Sequence, residues 1–238
     1  MKYLSPKALK IVDPIEVAKL CSKLGLRWMS GEGRAELMTT LQSIPVAIID
    51  AKPSDSHDND RVIGNAVLQV YFSQLRNRSG FFVDLTRDQF GVPDLGQREP
   101  GTVDAVVWSP GQLWHCFDDG FRDALLKLYR GFYEKDQARF ESAICELGLA
   151  EPEEPQLVAD LSEAFQSHFG ASQGSVQFDL DDFYQSFDRI FHLLLENKKR
   201  VSPDFVVLGF YLVFLYRLMN ELDASFDVEA AFFQSLGP

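Results

Sequence analysis

A succession of apolar segments in the second half of the chain constrains the fold more than any other sequence feature. These segments repeat apolar residues at the three- and four-residue spacing of one helix face. They cover residues 119–133, 135–147, 154–169, 179–196 and 202–222, followed by a shorter one at 227–236. The last long segment opens with Ser202-Pro203-Asp204, which supplies a capping hydroxyl, a first-turn proline and an acid in succession. The sequence therefore predicts a mainly α-helical fold.

The first half of the chain predicts further helices and a small amount of β-structure. Three helices are expected, at residues 14–24, where Gly25 is the predicted stop, 34–41 and 61–76. A strand is expected at residues 81–85, and a β-hairpin is expected from residues 103–108 and 112–117. The apolar run at residues 44–49 stays unassigned. The predicted fold is thus a helical bundle with a small β-hairpin or short sheet near residues 81–117.

Length and composition bound the class of protein. With 238 residues, 46% of them apolar and 20 of them phenylalanine, the chain can bury a sizeable core. We expect one globular domain over residues 1–238. It would consist of an N-terminal helical and loop region at 1–60 and a helical region at 61–236.

Charge and cysteine content bear on the expected partners and the cellular location of the chain. Its 23 basic and 35 acidic residues give a net charge of −12, which repels nucleic-acid phosphates, so no nucleic-acid partner is expected. The cysteines, Cys21, Cys116 and Cys145, are widely separated and form no C-x-x-C pair, which argues against a disulfide framework or a zinc ribbon. Together these features predict a cytoplasmic location.

Membrane signals are few in the sequence. The first residues lack a sustained apolar stretch with a small-residue cleavage site. The most apolar run, residues 205–219, is about 15 residues long, whereas a bilayer span needs about 20. We expect a buried core helix there and no transmembrane segment.

The segment at residues 196–228 resembles the closing helices of the UbiB/AarF atypical kinases. In that family a Pro-Pro-Asp-like cap opens an apolar helix that contains Leu-Gly and ends in a Leu-Asp-Pro-x-Phe-like turn. The matching residues here are Pro203, Asp204, Leu208, Gly209, Leu222, Asp223, Phe226 and Asp227. Residues 118–149 are similar to the helix pair that follows the family's metal-binding loop. The resemblance spans residues 62–228 and implies a truncated, protein-kinase-like C-lobe.

The resemblance also implies a degraded catalytic apparatus. The family's His-Ala-Asp-Pro-His-Pro-Gly-Asn-like loop overlies FVDLTRDQF, so Asp84 matches the catalytic aspartate and Gln89 stands where the metal-binding asparagine belongs. The Ile-Asp-Phe-Gly-like segment overlies GQLWHCFDD, which puts Phe117 at the position of the metal-chelating aspartate. Asp118 or Asp119 could substitute only if the strand register slipped.

The N-terminal lobe of such a kinase has no counterpart in the sequence. There is no Gly-rich phosphate loop, and Ile49 stands where a kinase carries its lysine. Phosphoryl transfer depends on positioned phosphates, a lysine and metal ions. We therefore expect a noncatalytic, pseudokinase-like domain, in which Asp84, Asp118 and Asp119 are the catalytic candidates that remain.

Metal, cofactor and apolar-ligand sites have limited support from the sequence. No histidine has a second ligand at metal-helix spacing, so no metal and no cofactor is predicted. The acidic loop around His57 could capture a cation, although its calcium-loop pattern is incomplete. Aromatic residues at partly helical spacing could line an apolar pocket, with core packing as the alternative. The pocket candidates are Phe183, Phe187, Phe191, Phe210 and Phe214.

Three functions remain open at this point. The preferred one is a protein-interaction or regulatory module that lacks catalysis. The second is a carrier of an apolar small molecule such as an isoprenoid or quinone precursor, which the family's association with quinone biology implies. The third is a residual nucleotide-dependent enzyme that uses Asp84 with Asp118 or Asp119 on a metal. The partner is therefore expected to be a protein or an apolar ligand.

Overall fold

A computed structural model describes residues 11–30, 33–44, 46–49, 60–78, 80–91, 106–169 and 174–236. These residues are mainly helical with a few short strands in small sheets, which confirms the predicted fold class. The α-helices are α1 (Pro14–Ser30), α2 (Arg34–Thr40), α3 (Asp60–Arg76), α4 (Asp119–Tyr133), α5 (Gln137–Glu146), α6 (Pro155–Phe169), α7 (Leu180–Glu196), α8 (Pro203–Glu221) and α9 (Val228–Leu236). The strands are β1 (Ala47–Ile48), β2 (Phe81–Phe82), β3 (Phe90–Gly91), β4 (Val107–Trp108), β5 (Trp114–His115), β6 (Val176–Gln177) and β7 (Ser225–Phe226).

The helices of the second half begin where the capping residues predict. Helix α7 follows Asp179, whose carboxylate accepts hydrogen bonds from the N–H groups of Asp181 at 2.8 Å and Asp182 at 2.9 Å. Such a carboxylate satisfies N–H groups that have no partner inside the helix. The short polar side chains before the apolar runs therefore fix where these helices start.

Helix α1 differs from the prediction, because it continues through Gly25 to Ser30. A glycine stops a helix most readily when it adopts the left-handed conformation. Gly25 does not have a positive φ, and its α-carbon faces open space. The predicted stop was therefore wrong, since Gly25 is an ordinary helical residue.

Four helices in the described second half end on residues in the left-handed conformation. The residues are Lys135 after α4, Gly148 after α5, Lys198 after α7 and Asp223 after α8, with φ values of 57°, 73°, 55° and 42°. After α4, the N–H of Asp136 returns to the carbonyl of Gly131 at 2.8 Å. This bond pattern satisfies carbonyls at the helix end. Two of these four positions carry lysine in a conformation that glycine adopts more easily.

The predicted β-hairpin is not formed as expected. β4 and β5 do not pair with each other: β4 lies between β1, which it pairs in parallel, and β3, which it pairs antiparallel. β5 pairs antiparallel with β2. The unassigned apolar run at 44–49 contains β1, whereas residues 92–105, with the start of the expected hairpin, lie outside the described residues.

Main-chain bonds explain why the hairpin partners separate. The N–H of Ser109 donates to the carbonyl of Gln89 at 2.8 Å, which extends the β3–β4 pairing. The N–H of Val83 donates to the carbonyl of Leu113 at 2.8 Å, which extends the β2–β5 pairing. The chain between residues 109 and 113 therefore crosses from one small sheet to the other instead of turning back.

The chain divides into two compact units that are not contiguous in sequence. Unit 1 contains Met1–Lys23, Phe117–Gln173 and Asp179–Gly209, and unit 2 contains Leu24–Cys116, Gly174–Phe178 and Phe210–Pro238. The boundaries do not fall at residue 60, where the sequence suggested a change of region. A single domain over residues 1–238 stays a prediction.

Unit 1 is a set of helices joined by apolar side chains. α4 and α5 approach closely because Gly131 lacks a side chain, since a Cβ there would lie 2.6 Å from the main-chain nitrogen of Phe140. The ring of Phe169, at the end of α6, contacts those of Phe132 at 4.9 Å and Tyr129 at 5.1 Å between centroids. Aromatic contacts thus connect α4 to α6 in the core of unit 1.

Unit 2 is built around α3. Tyr71 on α3 stacks on Tyr211 with ring centroids 5.1 Å apart and planes at 16°. Gly64, about two turns earlier on the same helix, makes room for the ring of Phe226, because a Cβ there would lie 2.1 Å from that ring. Strands β2 and β7 also contact α3. The N–H of Phe82 in β2, for example, donates to the side-chain oxygen of buried Gln74 on α3 at 2.7 Å.

Helix α8 is the one helix of the described residues that is long and apolar enough to cross a membrane. It has 19 residues and a mean hydropathy of 1.2 over its most apolar 18-residue window, of which 44% is buried. Core helices of soluble proteins also meet such a criterion of length and composition. The absence of a transmembrane segment therefore stays a prediction.

Candidate functional site

Asp84, which the resemblance matches to a catalytic aspartate, follows β2 and is half-buried. Its carboxylate accepts two main-chain hydrogen bonds, from Gln112 N–H to Oδ2 at 3.2 Å and from Leu113 N–H to Oδ1 at 3.1 Å. Each carboxylate oxygen therefore holds one amide of the segment that leads into β5. The side chain connects the end of β2 to the start of β5.

Gly111 completes the contact with Asp84. A Cβ at position 111 would lie 2.0 Å from Oδ2 of Asp84, far closer than two such atoms can approach. Glycine is needed here because of space, since the φ of Gly111 is not positive. The carboxylate thus occupies the volume that any other side chain at position 111 would need.

Burial raises the pKa of Asp84 above its ordinary value, because the charged carboxylate loses solvation. The main-chain hydrogen bonds and the positive charge of Arg34 oppose that rise without cancelling it. Arg34 itself donates to the carbonyl of Pro110 at 3.1 Å. The segment at residues 109–113 is therefore held from both sides, by a carboxylate on its N–H groups and by a guanidinium on a carbonyl.

Gln89 stands where the resemblance puts a metal-binding asparagine, and its side chain also contacts the main chain. Its Nε2 donates to the carbonyl of Asp84 at 2.9 Å. Its Oε1 is buried without a hydrogen-bond partner among the described residues. The side-chain amide therefore braces the loop between β2 and β3.

Asp118 and Asp119, the other two candidates, lie at the start of α4 in unit 1. Asp118 is the N-cap, and its Oδ1 accepts from the N–H of Gly120 at 2.9 Å and that of Phe121 at 3.4 Å. Asp119 forms an ion pair with the buried guanidinium of Arg122 at 2.7 Å. One carboxylate therefore caps the helix, and the other neutralises a buried charge.

Phe117 occupies the position of the metal-chelating aspartate in the resemblance. Its side chain is 8% exposed, and its ring lies 5.4 Å from the ring of Phe121. It is a core residue of unit 1. Asp84 belongs to unit 2, whereas Asp118 and Asp119 belong to unit 1.

The candidate pocket residues have different surroundings. Phe183 and Phe187 are buried on α7 with ring centroids 4.6 Å apart, and Phe191 follows at 5.7 Å from Phe187. Phe210 on α8 is 40% exposed, and Phe214 is half-buried. The three α7 residues make direct ring-to-ring contacts, as core packing requires.

A hydrogen bond between a serine and a histidine was not foreseen from the sequence. Ser186 Oγ on α7 lies 2.9 Å from Nδ1 of His168 on α6. A nucleophile and a base at this distance are one signature of covalent catalysis. The serine hydroxyl, however, donates to the carbonyl of Phe183 at 2.9 Å. Since a hydroxyl has a single hydrogen, and the direction of the bond depends on the imidazole tautomer, the contact does not by itself define an activated serine.

Metal ligands are not grouped in the described part of the chain. No cluster of three or more His, Cys, Asp or Glu side chains that could hold a metal ion occurs there. His192 forms a pair with Asp188 at 3.6 Å on the exposed side of α7. The acidic loop around His57 lies outside the described residues.

Neither a scan against protein-family models nor a search of curated proteins finds a match for this sequence. The resemblance to the UbiB/AarF kinases therefore rests on the residues quoted for it.

Proposed function

We propose that this chain is a noncatalytic helical domain, a degenerate relative of the UbiB/AarF C-lobe, that serves as a protein-interaction or regulatory module in the cytoplasm. The observation that carries the proposal is the use of the Asp84 carboxylate as a double main-chain acceptor for Gln112 and Leu113. Asp118 and Asp119 have corresponding structural uses at the start of α4. Each catalytic candidate already stabilises the fold.

Phosphoryl transfer would require an Asp84 carboxylate with other properties. A catalytic or metal-binding carboxylate has to be ionised and open to a substrate hydroxyl or a metal ion. Asp84 is half-buried, its pKa is raised by burial, and each of its oxygens is bonded to an amide. These properties favour a structural role.

The matched packing residues support the relationship to the C-lobe. Asp204, in the Pro-Asp pair that opens α8, accepts a hydrogen bond from the N–H of Asp118 at 2.8 Å. The residue that the resemblance singles out therefore ties the start of α8 to the start of α4 within unit 1. Leu208 and Leu222, two further matched positions, are buried. These three matched residues therefore contribute to a contact between helices or to the core.

Exposed aromatic side chains support the interaction role. Phe210 on α8 and Phe233 on α9 are each 40% exposed. Aromatic residues are enriched among the anchors of protein interfaces, where burial of a ring supplies much of the binding energy. The net charge of −12 and the free cysteines are in keeping with a cytoplasmic module.

The noncatalytic part of the proposal is tested by thermal denaturation in the presence of ATP and Mg²⁺. A ligand that binds the native state alone raises the melting temperature as its concentration increases. We expect no rise up to millimolar nucleotide. A concentration-dependent rise in the natural chain that is lost in Asp84→Asn would contradict a structural role for Asp84.

The interaction part is tested by site-specific photocrosslinking in the cells that make the protein. A photoreactive phenylalanine analogue is placed at Phe210, and at Asn220 on the same helix as a matched control, because Asn220 is exposed and polar. We expect a discrete adduct from position 210 and none from position 220. Equal, diffuse labelling from both positions would remove the support that Phe210 gives to an interface.

A further inference from the structure

Helix α1 presents an apolar side to solvent. Ile15 and Leu26 are the most exposed large apolar side chains among the described residues, at 67% and 63%. Eleven positions separate them, which is about three helical turns, so they lie on one side of α1. Leu20, on another side of the helix, is buried. Helix α1 therefore has one apolar side in the core and a second apolar side, here called the α1 face, that is open to solvent.

The α1 face is accompanied by positive charge. Lys19 and Lys23 are exposed, and Lys19 pairs with Glu16 at 2.7 Å in a surface contact of small energy. Residues 1–30 contain six basic and two acidic residues, whereas residues 31–238 contain 17 basic and 33 acidic ones. An acidic surface is therefore the electrostatic complement of the α1 face, and the rest of this chain is acidic.

Helix α8 presents a second apolar side, here called the α8 face. Its apolar side chains recur at the three- and four-residue spacing of one helix side and are exposed or half-buried: Val206, Phe210, Val213 and Phe214. Phe210 is the most exposed of them, at 40%. Apolar side chains that line one side of a helix in this way can pack against another helix.

The α8 face ends in negative charge. Glu221 follows Phe210 by eleven positions, so it lies on the same side of α8, and Asp223 and Asp227 beyond the helix are exposed as well. Residues 203–236 contain five acidic residues and one basic residue, Arg217. Arg217 pairs with Glu221 at 3.0 Å, which leaves the other acidic residues to set the sign of this surface. The two apolar faces thus carry opposite charge.

We propose that the α1 face of one copy of this chain binds the α8 face of a second copy. The apolar side chains are buried in the contact, and the lysines of α1 meet the acidic end of α8. This inference rests on the interaction role argued above, because it names a second copy as the partner of Phe210. Since two different faces meet, two copies that exchange the contact in both directions form a closed dimer, and copies that pass it on form a chain.

The first test is the mass of the full chain by sedimentation equilibrium, from about 1 µM to about 1 mM. We expect the mass to increase with concentration beyond that of one chain. Ile15→Asp and Phe210→Asp should each weaken the association at least about tenfold, because each places a carboxylate in the contact. Ser167→Asp, which adds the same charge at an exposed position of α6, is the matched control and should associate like the natural chain.

A mixture of the two variants distinguishes this contact from one between identical faces. The Ile15→Asp chain keeps an intact α8 face, and the Phe210→Asp chain keeps an intact α1 face. The mixture should therefore associate at least about tenfold more tightly than either variant alone. A mixture that associates no more tightly than its components, or natural association in either variant alone, would overturn the pairing of α1 with α8.

A second variant tests the charges and leaves the apolar side chains in place, in case Phe210→Asp does not fold. Lys19→Glu combined with Lys23→Glu changes two exposed residues of α1. The association should weaken about fivefold, because the acidic end of α8 then meets a second acidic surface. Unchanged or tighter association would contradict the acidic α8 face as the partner of α1.

The outcome for self-association can be separated from the outcome for the interaction role. A chain that stays monomeric up to about 1 mM would reject the second copy as the partner. If that monomer sediments with vesicles of anionic phospholipid, the α1 face binds lipid instead. A photocrosslinked adduct of Phe210 with a different protein would preserve the interaction role while rejecting self-association, whereas a monomer without a discrete adduct would reject both.

Discussion

The two units of the molecule reach their structures by different means. In unit 1, long helices meet through side chains that recur at helical spacing, and the rings of Phe132, Phe169 and Tyr129 connect α4 with α6. In unit 2, strands of two residues each obtain their partners through side chains that bond the main chain, such as Asp84 and Gln74. Periodic apolar patterns organise unit 1, whereas the strands of unit 2 combine aromatic packing, such as Trp108 against Phe82 and Phe90, with single polar contacts.

This difference has a consequence for the candidate catalytic residue. Because the strands of unit 2 are only two residues long, few ladder hydrogen bonds are available to hold them. A half-buried carboxylate such as Asp84 can replace some of them by accepting from two amides. The presence of Asp84 in a loop of unit 2 is therefore explained by its structural role, without a catalytic one.

The largest expected effect tests the packing in unit 1. Gly131→Ala should destabilise the protein by about 3 kcal/mol, because the added methyl group would displace the main chain of α5 at Phe140. Gly25→Ala is the matched control, since Gly25 is helical and faces open space, and it should stabilise by about 0.5 kcal/mol. Urea unfolding followed by far-UV circular dichroism measures both. Equal effects of the two variants would contradict close packing of α4 and α5.

The next effect tests the polar contact in unit 2. Gly111→Ala should cost about 2 kcal/mol, because its methyl group collides with the Asp84 carboxylate. Asp84→Ala should cost about 2 kcal/mol, because it leaves the amides of Gln112 and Leu113 without their acceptor. The double variant removes the collision, so it should cost about 2 kcal/mol less than the sum of the single changes. Strict additivity in urea unfolding would mean that the two residues do not touch.

The smallest effect concerns the helix ends of unit 1. Lys135→Gly and Lys198→Gly should each stabilise the protein by about 1 kcal/mol, since both lysines adopt the left-handed conformation. Gly148→Ala, the reverse change at an equivalent position with open space around it, should destabilise by a similar amount. The midpoint of urea unfolding checks all three variants. A loss of stability in both lysine variants would show that these side chains contribute more than their strained conformation costs.

The sequence predicted much of unit 1 because helical periodicity and caps are local signals. The range of α4 was predicted to the residue, and α7 begins directly after its capping residue Asp179. The strand partners in unit 2 were not predictable in this way, because β4 and β5 lie close in sequence but pair with other strands. Which strands pair depends on contacts such as that of Asp84 with Leu113, which no local pattern indicates.

The candidate sites show the same limit. Asp84 was selected by its position in a motif, whereas its hydrogen bonds to residues 112 and 113 depend on the fold. The bond between His168 and Ser186 joins two helices, so the spacing of these residues in the sequence did not predict it. Ser186 lies on the same face of α7 as Phe183 and Phe187. This position could have indicated that a polar group lies among the aromatic side chains.

The most direct test of a structural Asp84 is the hydrogen exchange of single amides by NMR. In the natural chain the amides of Gln112 and Leu113 should be protected, and Asp84→Ala should accelerate their exchange at least about tenfold, as the loss of about 1.4 kcal/mol requires. The amide of Ser109, which bonds the carbonyl of Gln89 instead, is the internal control and should change less. Unchanged exchange at Gln112 and Leu113 in Asp84→Ala would contradict the account and return Asp84 to the list of catalytic candidates.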